Sequence, residues 1–325
     1  MFKKRFIILS AVIIFCNNFL YSQSASSLKI YTSDIDNFWK AYDEVQQSND
    51  TAQQLNIIQS VYFDAASAGL KDFIGKSGIN AKDMLHCIKE FPKFWTSVRP
   101  KTLAVKNQLA ELNKLIFRYK KLYPQFKQPN IYFVIGSLSM GGTTDSSEIL
   151  TGTEIAAADS TVDASEINQW LQKVFKENTG IDFIIAHEMT HTQQPDGDAE
   201  NDGKSNLLGY CINEGAADFI AELLLQRPLN DPYIIYGKLH EKAVWQAFQK
   251  EMYGQNIDNW LYNGGNASVP CAELGYFEGY AICKSYYEHS KNKKQAIYDI
   301  INLDRKNINA LNHFLDLSKY ASRWE

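Results

Sequence analysis

Phe183-Ile184-Ile185-Ala186-His187-Glu188-Met189-Thr190-His191 is the stretch that decides how this chain reads. Four apolar residues run without a break into two histidines four apart, with a glutamate directly after the first. At helical spacing His187 and His191 share one face and can hold a single zinc ion through their imidazoles. Glu188 then stands beside the metal's open position, where a general base belongs. Gly180-Ile181-Asp182 opens the element, and Gln193-Gln194-Pro195 closes it, because proline cannot continue a helix. The competing reading is a core helix whose two histidines are merely hydrogen-bonded.

A third ligand has to come from another element and be a carboxylate, histidine or cysteine. Glu214 fits best, in the segment Asn213-Glu214-Gly215-Ala216-Ala217-Asp218. Ile212, Ala216, Phe219, Ile220 and Leu223 repeat at helical spacing, which predicts a helix over 212–225. Asp218 lies one turn after Glu214 and can accept the remaining N–H of a metal-bound imidazole. Taken alone, Asn213 to Asp218 also reads as an acidic helix start. HExxH followed by NExxxD resembles the gluzincin metallopeptidases, thermolysin-like enzymes among them. That resemblance implies zinc ligands at His187, His191 and Glu214, a general base at Glu188, and a histidine-supporting role for Asp218. Related gluzincins steady the developing oxyanion with a downstream Tyr or His. Tyr276 and Tyr280, four apart, are the candidates here, with Tyr210, Tyr287 and His289 behind them; packing is the competing role for each.

A wider likeness runs through Tyr62 to Phe73, Leu122-Tyr123-Pro124, Tyr132 to Gly136, Gly141-Gly142-Thr143 and Gly275 to Tyr280. These segments resemble a bacterial family of predicted zinc-dependent proteases of unknown specificity. The resemblance implies a zincin-like catalytic core with added helices, and it implies no particular substrate.

Lys3-Lys4-Arg5, the apolar run Phe6 to Phe15, and small polar residues near Ser22-Gln23-Ser24 read as a secretory signal peptide over 1–22. Cys16 lacks the small preceding residues that lipid attachment wants, so an anchor there is the lesser reading. The expected location is periplasmic, cell-surface or secreted. No later stretch is long and apolar enough for a transmembrane helix.

The chain has 325 residues, 45% of them hydrophobic, with a formal charge of −4 that becomes more negative once Lys3, Lys4 and Arg5 are removed. A large core is available, and the acidic balance argues against nucleic acid as a partner. Cys87, Cys211, Cys271 and Cys283 remain after signal removal and would permit two disulfides in an exported protein. Asp198, Glu200, Asp202 and Gly203 mimic the opening of a calcium loop, but Gly209 stands where its bidentate carboxylate should be. A solvated acidic loop is therefore the better reading, and one catalytic zinc the expected cofactor.

Ile35, Phe38, Trp39, Tyr42 and Val45 form one amphipathic stripe, and Leu103 through Tyr119 within 101–123 another. Past Pro124 and Pro129, 131–135 reads as a strand, Gly141-Gly142-Thr143 as a turn and 148–157 as a second strand region. The strand containing Ile149 to Ile155 is expected to run along a cleft and pair with substrate backbone, or else only to roof the core. Helix resumes over 272–290. The expected fold is α+β and mainly α-helical: an N-terminal helical region over 23–128, then a metallopeptidase core with C-terminal helices over 129–325, or one domain over 23–325. The expected activity is peptide-bond hydrolysis on a peptide or protein substrate. A cell-envelope binding or scaffold protein that keeps a zinc site without peptidase activity is the alternative, and hydrolysis of a non-peptide ester or amide a third.

Overall fold

A mixed four-stranded sheet and fourteen α-helices carry the chain in a computed structural model that describes residues 29–145, 147–195, 197, 203–264 and 271–324. In chain order the elements are β1 (Ile30–Tyr31), α1 (Ser33–Val45), α2 (Thr51–Ile57), α3 (Ala68–Ser77), α4 (Ala81–Glu90), α5 (Pro92–Ala104) and α6 (Leu109–Leu122). Next come β2 (Asn130–Val134), β3 (Gly142–Thr144), β4 (Glu148–Gly152), α7 (Thr153–Ala156), α8 (Gln169–Glu177) and α9 (Ile181–His191). The chain finishes with α10 (Leu207–Leu225), α11 (Pro232–Phe248), α12 (Leu274–His289), α13 (Lys293–Ile301) and α14 (Ile308–Ser318). The fold is α+β and mainly helical. The expected signal peptide, Cys16, and the acidic residues Asp198, Glu200 and Asp202 lie outside the described residues. Among the described residues no helix is long and apolar enough to cross a membrane.

The sheet order is β1-β2-β4-β3. β1, β2 and β4 run parallel, with Ile131 opposite Ile149 and Tyr132 opposite Leu150; β3 is antiparallel to β4. Ile131, Phe133, Val134, Ile149 and Leu150 are all fully buried, as expected of strands covered on both faces. Two expectations change here. Gly142-Thr143 is not part of a turn but of the strand β3, too short and glycine-rich to show period-two alternation. The strand after it stops at Gly152, and Thr153–Ala156 is a helical turn. Consequently β4, expected beside the cleft, is an interior strand, and β3 is the edge.

The loop feeding β3 is held from inside. Ser137 (φ 52°) and Leu138 (φ 61°) sit in the left-handed region, which costs each about 1 kcal/mol or more without glycine. The fully buried Glu154 offsets this by accepting the backbone N–H groups of Gly136 and Leu138, both at 2.9 Å.

The predicted stripe in α1 is buried at Ile35, Phe38, Trp39 and Val45. The helix expected over 101–123 is instead divided by a tighter 3-10 turn at Val105–Gln108, which keeps Val105 in the core. α10 starts five residues earlier than its apolar repeat suggested, because the Asn206 side chain caps the Gly209 N–H. Glu214 therefore lies in mid-helix rather than near a start. All four cysteines in the described residues are free, so neither of the two permitted disulfides is present.

α10 is buried along nearly all its length, between α9 and α12. Glycines set its distance from α12. A Cβ at Gly215 would overlap the backbone of Gly279 and Tyr280, and one at Gly279 would overlap the backbone of Cys211. By contrast, a Cβ at Gly75 in α3 would meet nothing within 4 Å. Gly279→Ala should therefore destabilise the fold by about 1–3 kcal/mol, as overpacking does. Gly75→Ala should stabilise it by about 0.5–1 kcal/mol. Urea unfolding of the two variants checks both signs.

Candidate metal centre

α9 turns His187 and His191 to one side, and their rings meet edge to face with centroids 4.7 Å apart. Their Nε2 atoms are 3.0 Å apart, and Glu214 Oε2 lies 3.4 Å from each. The three residues form a group able to hold a metal ion, with ligand atoms all within 4.8 Å of one another.

The outward nitrogens determine what the inward ones can do. His187 Nδ1 is 2.8 Å from Asp218 Oδ1, and His191 Nδ1 is 2.7 Å from Gln194 Oε1. A carboxylate and an amide oxygen only accept, so each Nδ1 carries the hydrogen and donates it. Both Nε2 lone pairs are thereby left facing Glu214 Oε2. Three converging electron-pair donors repel one another unless a cation sits among them. Two imidazoles and one carboxylate are a donor set that fits zinc.

Each of these partners is itself held. Tyr233 donates its hydroxyl to Asp218 Oδ2 at 3.0 Å, and Gln194 Nε2 donates to the Asn213 carbonyl at 2.9 Å. Tyr262 donates to Glu214 Oε1 at 3.0 Å, leaving Oε2 for the histidines. Gln194, Tyr233 and Tyr262 were not singled out from sequence. Gln194 had a signal in its spacing of three from His191, whereas Tyr233 and Tyr262 belong to segments that only the fold brings close.

Burial alone would depress both histidine pKa values, yet the adjacent carboxylates prevail. Asp218 and Glu214 hold His187 well above the usual imidazole range, and Glu214 pushes His191 up to about 9. Burial would raise Glu214, but the two imidazoles hold it below the ordinary carboxylate range. Burial raises Asp218, against its bonds to His187 and Tyr233. The surroundings of both imidazoles thus favour positive charge.

Glu188 is half-buried on the same helix, next to the sheet edge. A Cβ at Gly142 of β3 would come 3.8 Å from Glu188 Oε1. Tyr276 reaches this neighbourhood, its ring stacked 6.2 Å from that of His187. Tyr280 does not. Its hydroxyl donates to Glu222 Oε2 at 2.7 Å and accepts from Lys284 Nζ at 2.8 Å. Tyr210 is buried with its hydroxyl on the Lys204 N–H, Tyr287 packs on Phe219, and His289 bonds the Ser285 carbonyl.

Residues 164–310 match the model of a family described as Predicted Zn-dependent protease (DUF2268). The match spans α8 to the start of α14, and so includes the histidine–glutamate cluster, Glu188, Asp218 and Tyr276. The N-terminal segments and the sheet, which carried part of the wider likeness, lie outside it. No curated protein and no solved structure matches the chain.

Glu214→Ala should abolish tight zinc binding, and Asp218→Ala should weaken it about ten- to a hundredfold, read by competition with a chelating dye. A pH effect follows from the histidine. An imidazole raised to about 9 in the folded, ion-free chain contributes stability that is complete below the unfolded value near 6.5. That contribution is lost as pH rises towards 9. Urea unfolding of chelator-treated protein should show falling stability across this window, and saturating zinc should remove the fall.

Proposed function

We propose that the protein is an exported zinc-dependent metallopeptidase in which His187, His191 and Glu214 hold the metal and Glu188 is the general base. The observation that carries this reading is the pair of Nδ1-protonated histidines converging with Glu214 beside a separate carboxylate at a sheet edge. A structural zinc site needs no such base and is usually closed by four protein ligands. The family match over the same residues supports the reading. Export rests on the basic and apolar N-terminal segment alone.

Bound zinc would supply Lewis acidity towards a water molecule and a substrate carbonyl. The chain's own residues do the rest. The Glu188 carboxylate takes a proton from the attacking water and passes it to the leaving nitrogen. β3 offers its outer backbone edge to an extended peptide, and Gly142 keeps side-chain bulk away from Glu188. Asp218 and Gln194 keep the two imidazoles in one tautomer and orientation. Tyr276, stacked near His187, is better placed to stabilise developing oxyanion charge than Tyr280, whose hydroxyl is already committed to Glu222 and Lys284.

Incubation of the zinc-loaded protein with a diverse peptide mixture, read by mass spectrometry, tests the reading. Wild type should cut, while Glu188→Gln should bind zinc equally and lose at least about a hundredfold in rate. Full activity in that variant would remove Glu188 from the mechanism. Zinc binding without cuts in wild type would favour the envelope-scaffold alternative.

A further inference from the structure

A cavity of about 310 Å³ adjoins the metal centre between α8, the start of α9 and the residues before α11 and α12. Ile184 and Tyr233 connect the two. Ile184 lies beside the Gly142–Glu188 contact, and Tyr233 is the residue bonded to Asp218. The walls are apolar, formed by Ile155, Val174, Phe183 and Ile184, with Trp170 half-exposed. Its charged lining is unbalanced: Asp231, Glu273 and Glu177 against Lys173. Glu177 and Lys173 are exposed and largely screened, which leaves the two more buried carboxyls to set the character of the interior.

Asp231 is the telling residue. It occupies the N-cap position of α11, where an aspartate normally accepts a helix N–H, and yet its side chain makes no cap. It turns instead towards Thr179, another lining residue, whose hydroxyl is 3.4 Å from Oδ1. Asp231 is only 7% exposed, and Oδ2 has no hydrogen-bond partner. A buried acceptor without a donor costs about 1–3 kcal/mol, more when charged, so a ligand that brings a donor is favoured here. Glu273, with Oε2 accepting the Tyr262 N–H at 2.8 Å, adds a second carboxyl to the lining. Burial pushes both Asp231 and Glu273 up to about 7, so an entering cation would stabilise their charged forms.

Resting on the peptidase reading, we infer that this cavity is a specificity pocket for a substrate side chain with an apolar stem and a cationic tip, lysine or arginine. The stem would lie along Val174, Phe183 and Ile184. The tip would meet Asp231, with the Trp170 face available to a cation.

Calorimetry with n-pentylammonium and n-pentanol tests the pocket without any turnover. Pentylammonium should bind wild type about tenfold or more tightly than the alcohol, and Asp231→Asn should erase that preference. Glu273→Gln, altering the other carboxyl, should reduce it. Equal or tighter binding of pentanol to wild type would overturn the assignment. In the peptide digest, the ratio of kcat/KM for lysine over norleucine at one subsite should exceed about ten and collapse in Asp231→Asn. Efficient cutting with norleucine equal to lysine would overturn the pocket and leave the peptidase reading intact. Pentylammonium binding lost in Asp231→Asn, with no peptide cut by wild type, would support the pocket and remove the peptidase reading.

Discussion

Glu214 and Asp218 are two carboxylates one turn apart, nearly or wholly buried, on a helix that is otherwise apolar along most of its length. Isolated charges in such a place would cost several kcal/mol each, so the fold requires compensating partners. His187 and His191 face them across the α9–α10 packing, and Tyr233 and Tyr262 donate to the oxygens the histidines leave over. Every feature of the centre answers this one constraint. The raised histidine values are its acid–base expression, and a His-His-Glu group able to hold a metal ion is its coordination expression.

Close helix packing makes the compensation geometrically possible. Gly215 directly follows Glu214, and its missing side chain lets α12 approach so closely that the backbones of Gly279 and Tyr280 occupy the space of a Cβ. α12 in turn carries Tyr276 alongside His187. Helix spacing and site geometry are therefore one problem: a methyl group between α10 and α12 would move the element bearing Glu214. The sheet contributes at the opposite side of α9. Glu154 restrains an unfavourable loop, the loop delivers β3, and β3 places Gly142 against Glu188. A rigid helix pair and a tethered edge strand thus bracket the half-buried carboxylate.

The cavity beside Asp231 follows the same logic on the outer side of Asp218. The charge of Asp218 reaches Asp231, and Tyr233, which lines the cavity, also bonds Asp218. A cation drawn to Asp231 would enter the field of Asp218, which bonds a histidine of the candidate metal site. Substrate recognition and metal retention would then draw on one acidic region, separated by a single tyrosine ring.

What the amino-acid sequence determined by itself was local. The pairing of His187 with His191 was legible because a four-residue spacing on a helix dictates a shared face, and Glu214 with Asp218 repeats that spacing on the next long helix. The mainly helical character with a small sheet followed from apolar periodicity, as in Ile35, Phe38, Trp39 and Val45. Tertiary structure decided what depends on distant pairing. β3 was invisible as a strand because three residues beginning with glycine become extended only by bonding to β4. That pairing made β4 an interior strand and left β3 at the edge. Tyr262 reaches Glu214 across 48 positions in sequence, a contact no periodicity encodes. Tyr276 and Tyr280 share a helical spacing and so looked alike, yet the Tyr276 ring stacks near His187 while the Tyr280 hydroxyl bonds Glu222 and Lys284. The four cysteines read as potential pairs by number alone, whereas the fold leaves them apart as free thiols.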